Sequence, residues 1–286
     1  MILVTGATGR VGREVVRLLA DRGPVRALVR SPERLAALGP CGAGVEVAVG
    51  RYEQPETIAA ALRGIRRAFL VTTDPFRPDD EVFLGEARRA GVEHVVKLSA
   101  LAAAEEDAQD LISRRQRAAE QALRTSGLGW TLLRPRAFMS NSLAWADDIR
   151  STGVVSALHG DAPAAVIDPR DVAEAAVHAL TQARCVDTAL ALTGPEALSA
   201  RERTARLAGL LGRPLGFREL TVEEARAGLV LRYPPQVVDA LLESAVRLLD
   251  GRKAAVEPDF TATTGLLPRC FDVWAADHLS AFAAVA

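Results

Sequence analysis

Short apolar runs alternate with helical patterns over the first two thirds of the chain. The runs predicted as strands are Ile2–Thr5, Val25–Val29, Val45–Val49, Ala68–Thr72, His94–Leu98, Trp130–Leu133 and Ala189–Leu192. Between them, apolar residues recur every three or four positions, as on one face of an amphipathic helix. This alternation predicts a parallel α/β sheet with helices packed on its faces.

Capping and breaking residues set the predicted limits of the helices. The predicted helices run from Val11 to Gly23–Pro24, from Pro32 (capped by Ser31) to Gly39–Pro40, over Glu56–Leu62, Glu81–Ala90 and Glu105–Arg124, and onward from the cap Asp168. Pro32 and Pro169 each occupy a first helical position, where the missing N–H costs nothing.

The pattern changes after about Leu198, where helical periodicity replaces the strand signals. The predicted helices there are Ala200–Leu211, Val222–Gly228 and Pro235–Leu249. We therefore expect a Rossmann-type, doubly wound parallel sheet over residues 1–150, completed by segments near 165–195. Residues 196–286 should form a smaller, mainly helical region that covers the substrate.

A glycine-rich loop, Gly6-Ala7-Thr8-Gly9-Arg10-Val11-Gly12, joins the first strand to the first helix. Gly6 permits a tight turn, Gly9 lets the backbone approach a pyrophosphate, and Gly12 lets helix and strand pack closely. The free N–H groups at the helix start then face the anion. A tight turn without a ligand is the structural alternative.

The end of the second strand carries Arg30, followed by Ser31. NAD enzymes usually place Asp or Glu there for the ribose hydroxyls. A guanidinium can instead hold a 2′-phosphate through paired, charge-assisted hydrogen bonds. This position predicts NADP(H) as cofactor, with Ser31 and Arg10 as auxiliary contacts, although a solvated strand-end arginine is the alternative.

Composition narrows the functional classes. Hydrophobic residues make up 49% and charged residues 25% of 286, with a net charge of −1, so we expect no attraction to nucleic acid or to an anionic membrane. Three dispersed cysteines and four scattered histidines predict neither disulfides nor a metal site. A strand beginning at Ile2 and the lack of a long apolar stretch predict a cytoplasmic protein.

With these residues and several downstream stretches, the chain resembles the NmrA-like branch of atypical short-chain dehydrogenases/reductases. The matching stretches are Thr5–Gly12, Arg30, Val95–Ser99, Glu120 with Ser126-Gly127, Trp130–Pro135 with Phe138, Ile167–Ala173 and Leu192–Leu198. The resemblance implies a Rossmann sheet and either an NAD(P)H-dependent quinone or azo reductase or a regulator that senses the nucleotide without turning it over.

The resemblance also implies roles for single residues. Gly6, Thr8, Gly9, Arg10 and Val11 match the phosphate loop, and Arg30 matches the 2′-phosphate site. The remaining implied cofactor contacts are Thr72 and Thr73 beside the ribose, Leu98 and Ser99 under the nicotinamide, and Arg136 and Phe138 in the loop that closes over it. For the Arg134–Phe138 stretch, a packed strand exit is an equal alternative.

Two positions depart from the family pattern. Relatives often carry Asp after the third strand, where it meets the adenine amino group, but this chain has Gly50-Arg51. Relatives often carry Lys or His four residues before Glu120, a candidate contact to cofactor or substrate, and this chain has Gln116. The adenine contact is therefore open.

The Tyr-x-x-x-Lys pair of typical superfamily members is absent, because Glu56 and Val237 stand four residues after the two tyrosines, Tyr52 and Tyr233. Hydride transfer is the cofactor's own chemistry, so catalysis stays open. We predict an NADPH-dependent reductase of quinone-like or other conjugated aromatic small molecules, with a non-catalytic, partner-binding redox sensor as the alternative. The sequence identifies no catalytic acid, and it leaves the oligomeric state open, with a homodimer as one option. Four apolar residues could line a substrate pocket or belong to the core: Phe76, Phe138, Met139 and Trp145.

Overall fold

The structure is a computed structural model, and it describes residues 1–31, 33, 44–182 and 185–283. The helix expected from Pro32 to Gly39–Pro40 lies outside these residues. The strands are β1 (Ile2–Val4), β2 (Val25–Val29), β3 (Val45–Val49), β4 (Arg67–Leu70), β5 (His94–Leu98), β6 (Gly129–Pro135), β7 (Val154–Ala157), β8 (Thr188–Leu192) and β9 (Gly216–Glu219).

The central sheet has the doubly wound arrangement expected from the sequence. Within the described ranges it contains seven parallel strands in the order β3-β2-β1-β4-β5-β6-β8. The order reverses at β1, whose neighbours are β2 on one side and β4 on the other. In such sheets, ligands bind in the crevice that opens at this reversal, beyond the carboxyl ends of the strands.

The helices are α1 (Arg10–Ala20), α2 (Pro55–Ala61), α3 (Asp79–Arg89), α4 (Leu111–Arg124), α5 (Ala146–Ser151), α6 (Pro169–Thr181), α7 (Ala200–Leu211), α8 (Val222–Leu229), α9 (Pro235–Val246), α10 (Asp259–Thr264), α11 (Phe271–Asp277) and α12 (Leu279–Phe282). Two apolar layers pack helices against the two faces of the sheet. One contains Val15 of α1 and Val172 of α6, and the other contains Ile58 of α2 and Phe83 of α3.

Helix α4 begins later than the sequence pattern indicates. A 3-10 turn covers Leu101–Ala104, and the prediction of one helix from Glu105 is wrong for the segment before Leu111. The reason is local: the Asp110 carboxylate accepts a hydrogen bond from the Ser113 backbone N–H at 2.9 Å, which caps the helix at that point. Helix α9 likewise ends at Val246 rather than Leu249.

A third apolar cluster is separate from these two layers and combines residues from before and after α6. Trp274 and Phe271 of α11 lie at its centre, together with Val155 of β7 and Leu207 of α7. Strands β7 and β9 pair in parallel beside this cluster, with Val154 opposite Gly216. The sequence pattern had not predicted these two strands, and they join chain segments on both sides of α6.

Candidate functional site

The glycine-rich loop has the geometry that an anion site needs. Gly6 has φ +59°, and a Cβ there would lie 2.8 Å from the Val71 Cβ. The Gly9 backbone N–H donates to the Gly6 carbonyl at 2.9 Å, which closes the turn at the carboxyl end of β1. A residue other than glycine at position 6 would be strained and would collide with the neighbouring strand.

Gly9 and Gly12 differ in what surrounds them. A Cβ on Gly12 would lie 2.2 Å from the Gly6 carbonyl oxygen, so this glycine permits α1 to pack against the loop. A Cβ on Gly9 would meet only that same oxygen, at 3.1 Å, because its other side is open. Gly9 caps α1 without a side-chain hydrogen bond, and no acidic residue stands in the first turn. The helix N-terminus is thus left for an external anion.

A cavity of about 320 Å³ lies beside this loop, over the ends of β1, β2 and β3. The predicted cofactor residues Gly6, Thr8, Gly9, Arg30 and Thr73 line it. Val11 and Gly12 are buried behind the loop, where Val11 packs in the core. The Ser31 side chain hydrogen-bonds to Glu33, and this bond is the main cause that lowers the pKa of the Glu33 carboxyl.

A second cavity, of about 510 Å³, continues from the first and shares Arg30, Thr73 and Asp74 with it. Thr72 and Gln116, both predicted as site residues, line this second cavity. Its remaining walls are Pro75, Phe76, Asp80, Ile112, Arg115, Tyr233, Pro234, Val237 and Leu241. The first cavity has the polar lining of a nucleotide site, whereas the second is large enough for a small organic substrate.

Gln116 lies on the wall of the second cavity with an unused acceptor. Its Oε1 is buried, and no hydrogen-bond partner for it occurs among the described residues. A buried amide oxygen without a partner is costly, so this atom is suited to accept a hydrogen bond from a bound ligand. The neighbouring Arg115 is not free in the same way, because its guanidinium makes two bonds of 2.8 Å to Glu81.

Lys97 is buried beneath the second cavity and does not line it. Its ammonium is fully buried and donates to Asp80 at 2.7 Å and to Thr72 at 3.2 Å. The Thr72 hydroxyl in turn donates to the Asp80 carboxylate at 3.0 Å. The three side chains satisfy one another, so they stabilise the floor of the cavity rather than supply a free proton donor.

Ser99 is also engaged. Its hydroxyl donates to Glu120 at 2.6 Å, and Arg134 holds the same carboxylate through a bond of 2.9 Å to Oε1 and a second bond to Oε2. Leu98 and Ser99 line neither cavity. The Ser99 side chain therefore positions the end of β5, which leaves its predicted nicotinamide contact as a prediction.

The loop after β6 folds back toward the phosphate loop. Arg10 Nη1 donates to the Ser140 hydroxyl at 3.1 Å, which ties the two loops together. Phe138 pairs with Ile167, and Arg136 is bound to Glu105 at 2.7 Å. Arg10, Arg136 and Phe138 line neither cavity, so their direct contact with cofactor stays a prediction.

The two tyrosines have different positions. Tyr52 lines the first cavity, and burial raises the pKa of its hydroxyl. Tyr233 precedes α9 and lines the second cavity beside Val237 and Leu241. Sequence reasoning missed these three residues as site residues, because the apolar period of α9 indicates only that one face is covered. Of the predicted apolar candidates, Phe76 lines this cavity, whereas Met139 is buried in the third cluster.

Within the described ranges, no group of three or more His, Cys, Asp or Glu side chains could hold a metal ion. None of the helices described there is both long and apolar enough to span a bilayer.

The comparisons with known proteins agree with this geometry. The sequence pattern of the family described as NAD(P)H-binding matches residues 6–183. Over 99% of both chains, this chain is 56% identical to a (4-alkanoyl-5-oxo-2,5-dihydrofuran-3-yl)methyl phosphate reductase of Streptomyces griseus. It is 36% identical to an NAD(P)H azoreductase of Xenophilus azovorans, over 99% of this chain and all of that one.

A solved structure is also similar over nearly the whole chain. It is the NADPH-dependent quinone oxidoreductase QOR2 of Escherichia coli in complex with NADPH, which is 25% identical. The alignment covers 98% of this chain and 99% of that one, with a TM-score of 0.83.

Proposed function

Because this chain belongs to the NAD(P)H-binding family that its residues 6–183 match, we propose that it is an NADPH-dependent reductase of conjugated acceptors, and in particular of an acylated dihydrofuranone that carries a phosphate. The relative that is 56% identical over 99% of both chains carries this proposal. The resemblance to the NmrA-like branch of atypical short-chain dehydrogenases/reductases is confirmed, and the reductases among the relatives favour an enzyme over a redox sensor.

The residues present fit a dinucleotide with a 2′-phosphate. The open side of Gly9 and the uncapped start of α1 accept the pyrophosphate, and Arg30 stands at the β2 end for the extra phosphate. When bound, NADPH supplies the hydride. Thr73, Thr72 and Gln116 then line the path from the first cavity to the second, where the substrate lies.

The relative's substrate has the electronic structure that this site requires. Its single ring double bond joins carbons 3 and 4, and carbon 4 also carries the alkanoyl group and adjoins the ring carbonyl. Hydride addition at carbon 3 moves the π electrons onto carbon 4, where both carbonyls delocalise the charge, and a proton then adds at carbon 4. Such a stabilised anion needs little help from a general acid.

The lining of the second cavity is consistent with a reaction that needs little general acid catalysis. It contains Tyr233 but no lysine, so the usual Tyr and Lys pair is not assembled by the fold either. Phe76, on the cavity wall, is 54% exposed, and we expect water to supply the proton. Quinones are suitable for the same reason, because their reduced form is a stabilised phenolate.

The test is NADPH oxidation by the purified protein with three acceptors: an acylated dihydrofuranone phosphate, a simple quinone and an unactivated ketone. We expect turnover of the first two and none of the ketone. General acid catalysis commonly raises a rate by about 10²- to 10⁴-fold. An unactivated ketone needs this contribution and the conjugated acceptors do not, so one assay separates the two classes. Binding of NADPH with no reduction of either conjugated acceptor above the free-solution rate would overturn the proposal in favour of a redox sensor.

A further inference from the structure

The turn after β3 places an arginine beside the one that follows β2. The Arg51 Nε donates to the Arg30 backbone carbonyl at 3.2 Å, and both side chains are exposed where they line the first cavity. In the parallel register Val29 lies opposite Val49, so the residues that follow them leave the sheet side by side. The backbone positions of Arg30 and Arg51 are therefore adjacent, and both side chains extend from the same edge of the nucleotide cavity.

The backbone that carries Arg51 is held by hydrogen bonds. The Gly50 N–H donates to the Val29 carbonyl at 3.0 Å, and the Arg51 N–H donates to the Thr57 hydroxyl at 2.9 Å. The Thr57 hydroxyl donates in turn to the Gln54 carbonyl at 2.7 Å. The start of the Arg51 side chain is thus fixed by the fold, while its charged end stays in solvent.

Neither arginine forms an ion pair with a described residue. The third arginine of the cavity, Arg77, does so, at 2.9 Å from Glu53 and 3.0 Å from Asp79. Residues 32 and 34–43, which follow β2, contain no Asp or Glu. Glu33 is fully exposed and is bonded to Ser31, and the charge of Arg51 makes only the smallest contribution to lowering the pKa of its carboxyl. The positive charge at the ends of β2 and β3 is therefore left for a ligand.

We infer that Arg51 is a second ligand of the cofactor 2′-phosphate, acting with Arg30 as a two-arginine clamp. The inference rests on the proposed NADP(H) site. A phosphate monoester carries a charge close to −2 near neutral pH and three acceptor oxygens, enough for two guanidinium groups. Two neighbouring like charges repel each other when the site is empty, and the phosphate removes this repulsion. Arg51 stands where relatives often carry an acid that contacts the adenine. In this chain the residue at that position would instead favour the nucleotide that carries the 2′-phosphate.

Two other roles for Arg51 make different predictions. Stacking of its guanidinium on the adenine ring would strengthen NADPH and NADH equally, since both carry the ring. A purely structural role, through the bond to the Arg30 carbonyl, would affect folding and neither affinity. The ratio of the two affinities separates all three roles.

The experiment is calorimetric titration of NADPH and NADH into the full chain carrying Arg51→Gln, beside the wild type. Loss of one charge-assisted contact should weaken NADPH about tenfold, while NADH changes less than twofold. Arg51→Asp should weaken NADPH further and shift the preference toward NADH. Arg88→Gln, which removes an exposed arginine on α3 that lines neither cavity, is the matched control and should change neither affinity.

Equal weakening of both nucleotides by Arg51→Gln would overturn the inference in favour of stacking, and unchanged affinities would overturn it in favour of a structural role. Both outcomes leave the proposed function intact, provided that the wild type prefers NADPH. A wild type that binds neither nucleotide would instead refute the proposed function itself.

Discussion

Charged residues at the carboxyl edge of the sheet belong to two groups. Lys97 and Glu120 are buried and completely engaged by protein partners, whereas Arg30 and Arg51 are exposed and form no ion pair with a described residue. Removing a partner from the first group leaves an uncompensated buried charge, which is destabilising. Removing a member of the second group should change ligand affinity with little effect on folding.

Gly9→Val should abolish binding of NADPH and NADH, because the branched side chain would fill the open side of the loop where the pyrophosphate belongs. Gly12→Ala is the paired variant: its Cβ would collide with the Gly6 carbonyl, so it should lower the melting temperature of the unliganded protein much more than Gly9→Val does. Thermal melts with and without nucleotide check both. Retained binding in Gly9→Val would show that the loop is only a turn.

Lys97→Met should lower the free energy of unfolding by about 3 kcal/mol, because the buried Asp80 carboxylate would keep only the Thr72 hydroxyl and the more distant Arg115, at 3.6 Å. Asp80→Asn should be destabilising for the corresponding reason. The double variant should be less destabilised than the sum of the two single variants, since it buries no unpaired charge. Urea denaturation of the four proteins measures this coupling, and strict additivity would contradict a closed pair.

Helix α9 forms part of the wall of the second cavity and contributes nothing to the lining of the first. It supplies Val237 and Leu241 to the second cavity, opposite Ile112 of α4. The phosphate loop could be predicted from the sequence, since its glycines, strand and helix are consecutive. The wall of the second cavity could not be predicted, because α9 lies more than 100 residues after α4. The apolar period of α9 shows that one of its faces is covered but not which surface covers it.

Leu241→Trp should therefore obstruct substrate while leaving the nucleotide site unchanged. We expect the KM for a quinone or furanone acceptor to rise, or turnover to fall, by about tenfold or more, a size seen when pocket shape is altered. NADPH affinity should change less than twofold. Val246→Trp, on the same helix at a position 54% exposed and outside both cavities, is the control. Equal effects of the two variants would mean that α9 does not line the substrate site.

The whole molecule was predictable wherever neighbours in sequence are neighbours in space. The doubly wound sheet, and the position of Arg30 directly after β2, were predicted because each βα unit encodes its own strand, turn and helix. The β7–β9 pair was missed, because Val154 and Gly216 come from distant segments that stabilise one another only after folding. The Ser99 and Glu120 bond was missed for the same reason, since spacing alone does not show which side chains meet.

Lys253 joins the segments that contain Ala165 and Ser244, and it should make the folding stability of the chain depend on pH. Its backbone carbonyl accepts from the Ala165 N–H at 2.8 Å, and its ammonium donates to the Ser244 hydroxyl at 3.0 Å. Burial, assisted by the charge of Arg247, lowers the pKa of this ammonium to about 8, from 10.5. Below pH 8 both folded and unfolded chains hold the proton, and between pH 8 and 10.5 the unfolded chain holds it more tightly.

This contribution to folding stability should therefore increase as the pH rises above 8. Melting curves of the wild type and Lys253→Met between pH 7.5 and 9.5 measure it, below the range in which tyrosines ionise. The difference in melting temperature should shift in favour of the wild type with rising pH. A difference that is constant across this range would contradict the lowered pKa.

The pairing of β7 with β9 has a consequence for recombining this protein with its relatives. The two strands lie on either side of α6 and β8 in the chain, so a crossover that exchanges only the final third would join a β9 from one parent to a β7 from the other. Their register, Val154 with Gly216 through Ala157 with Glu219, would then depend on side chains selected in different proteins. A chimera that exchanges β9 should therefore exchange β7 with it, so that both strands of the pair come from the same parent.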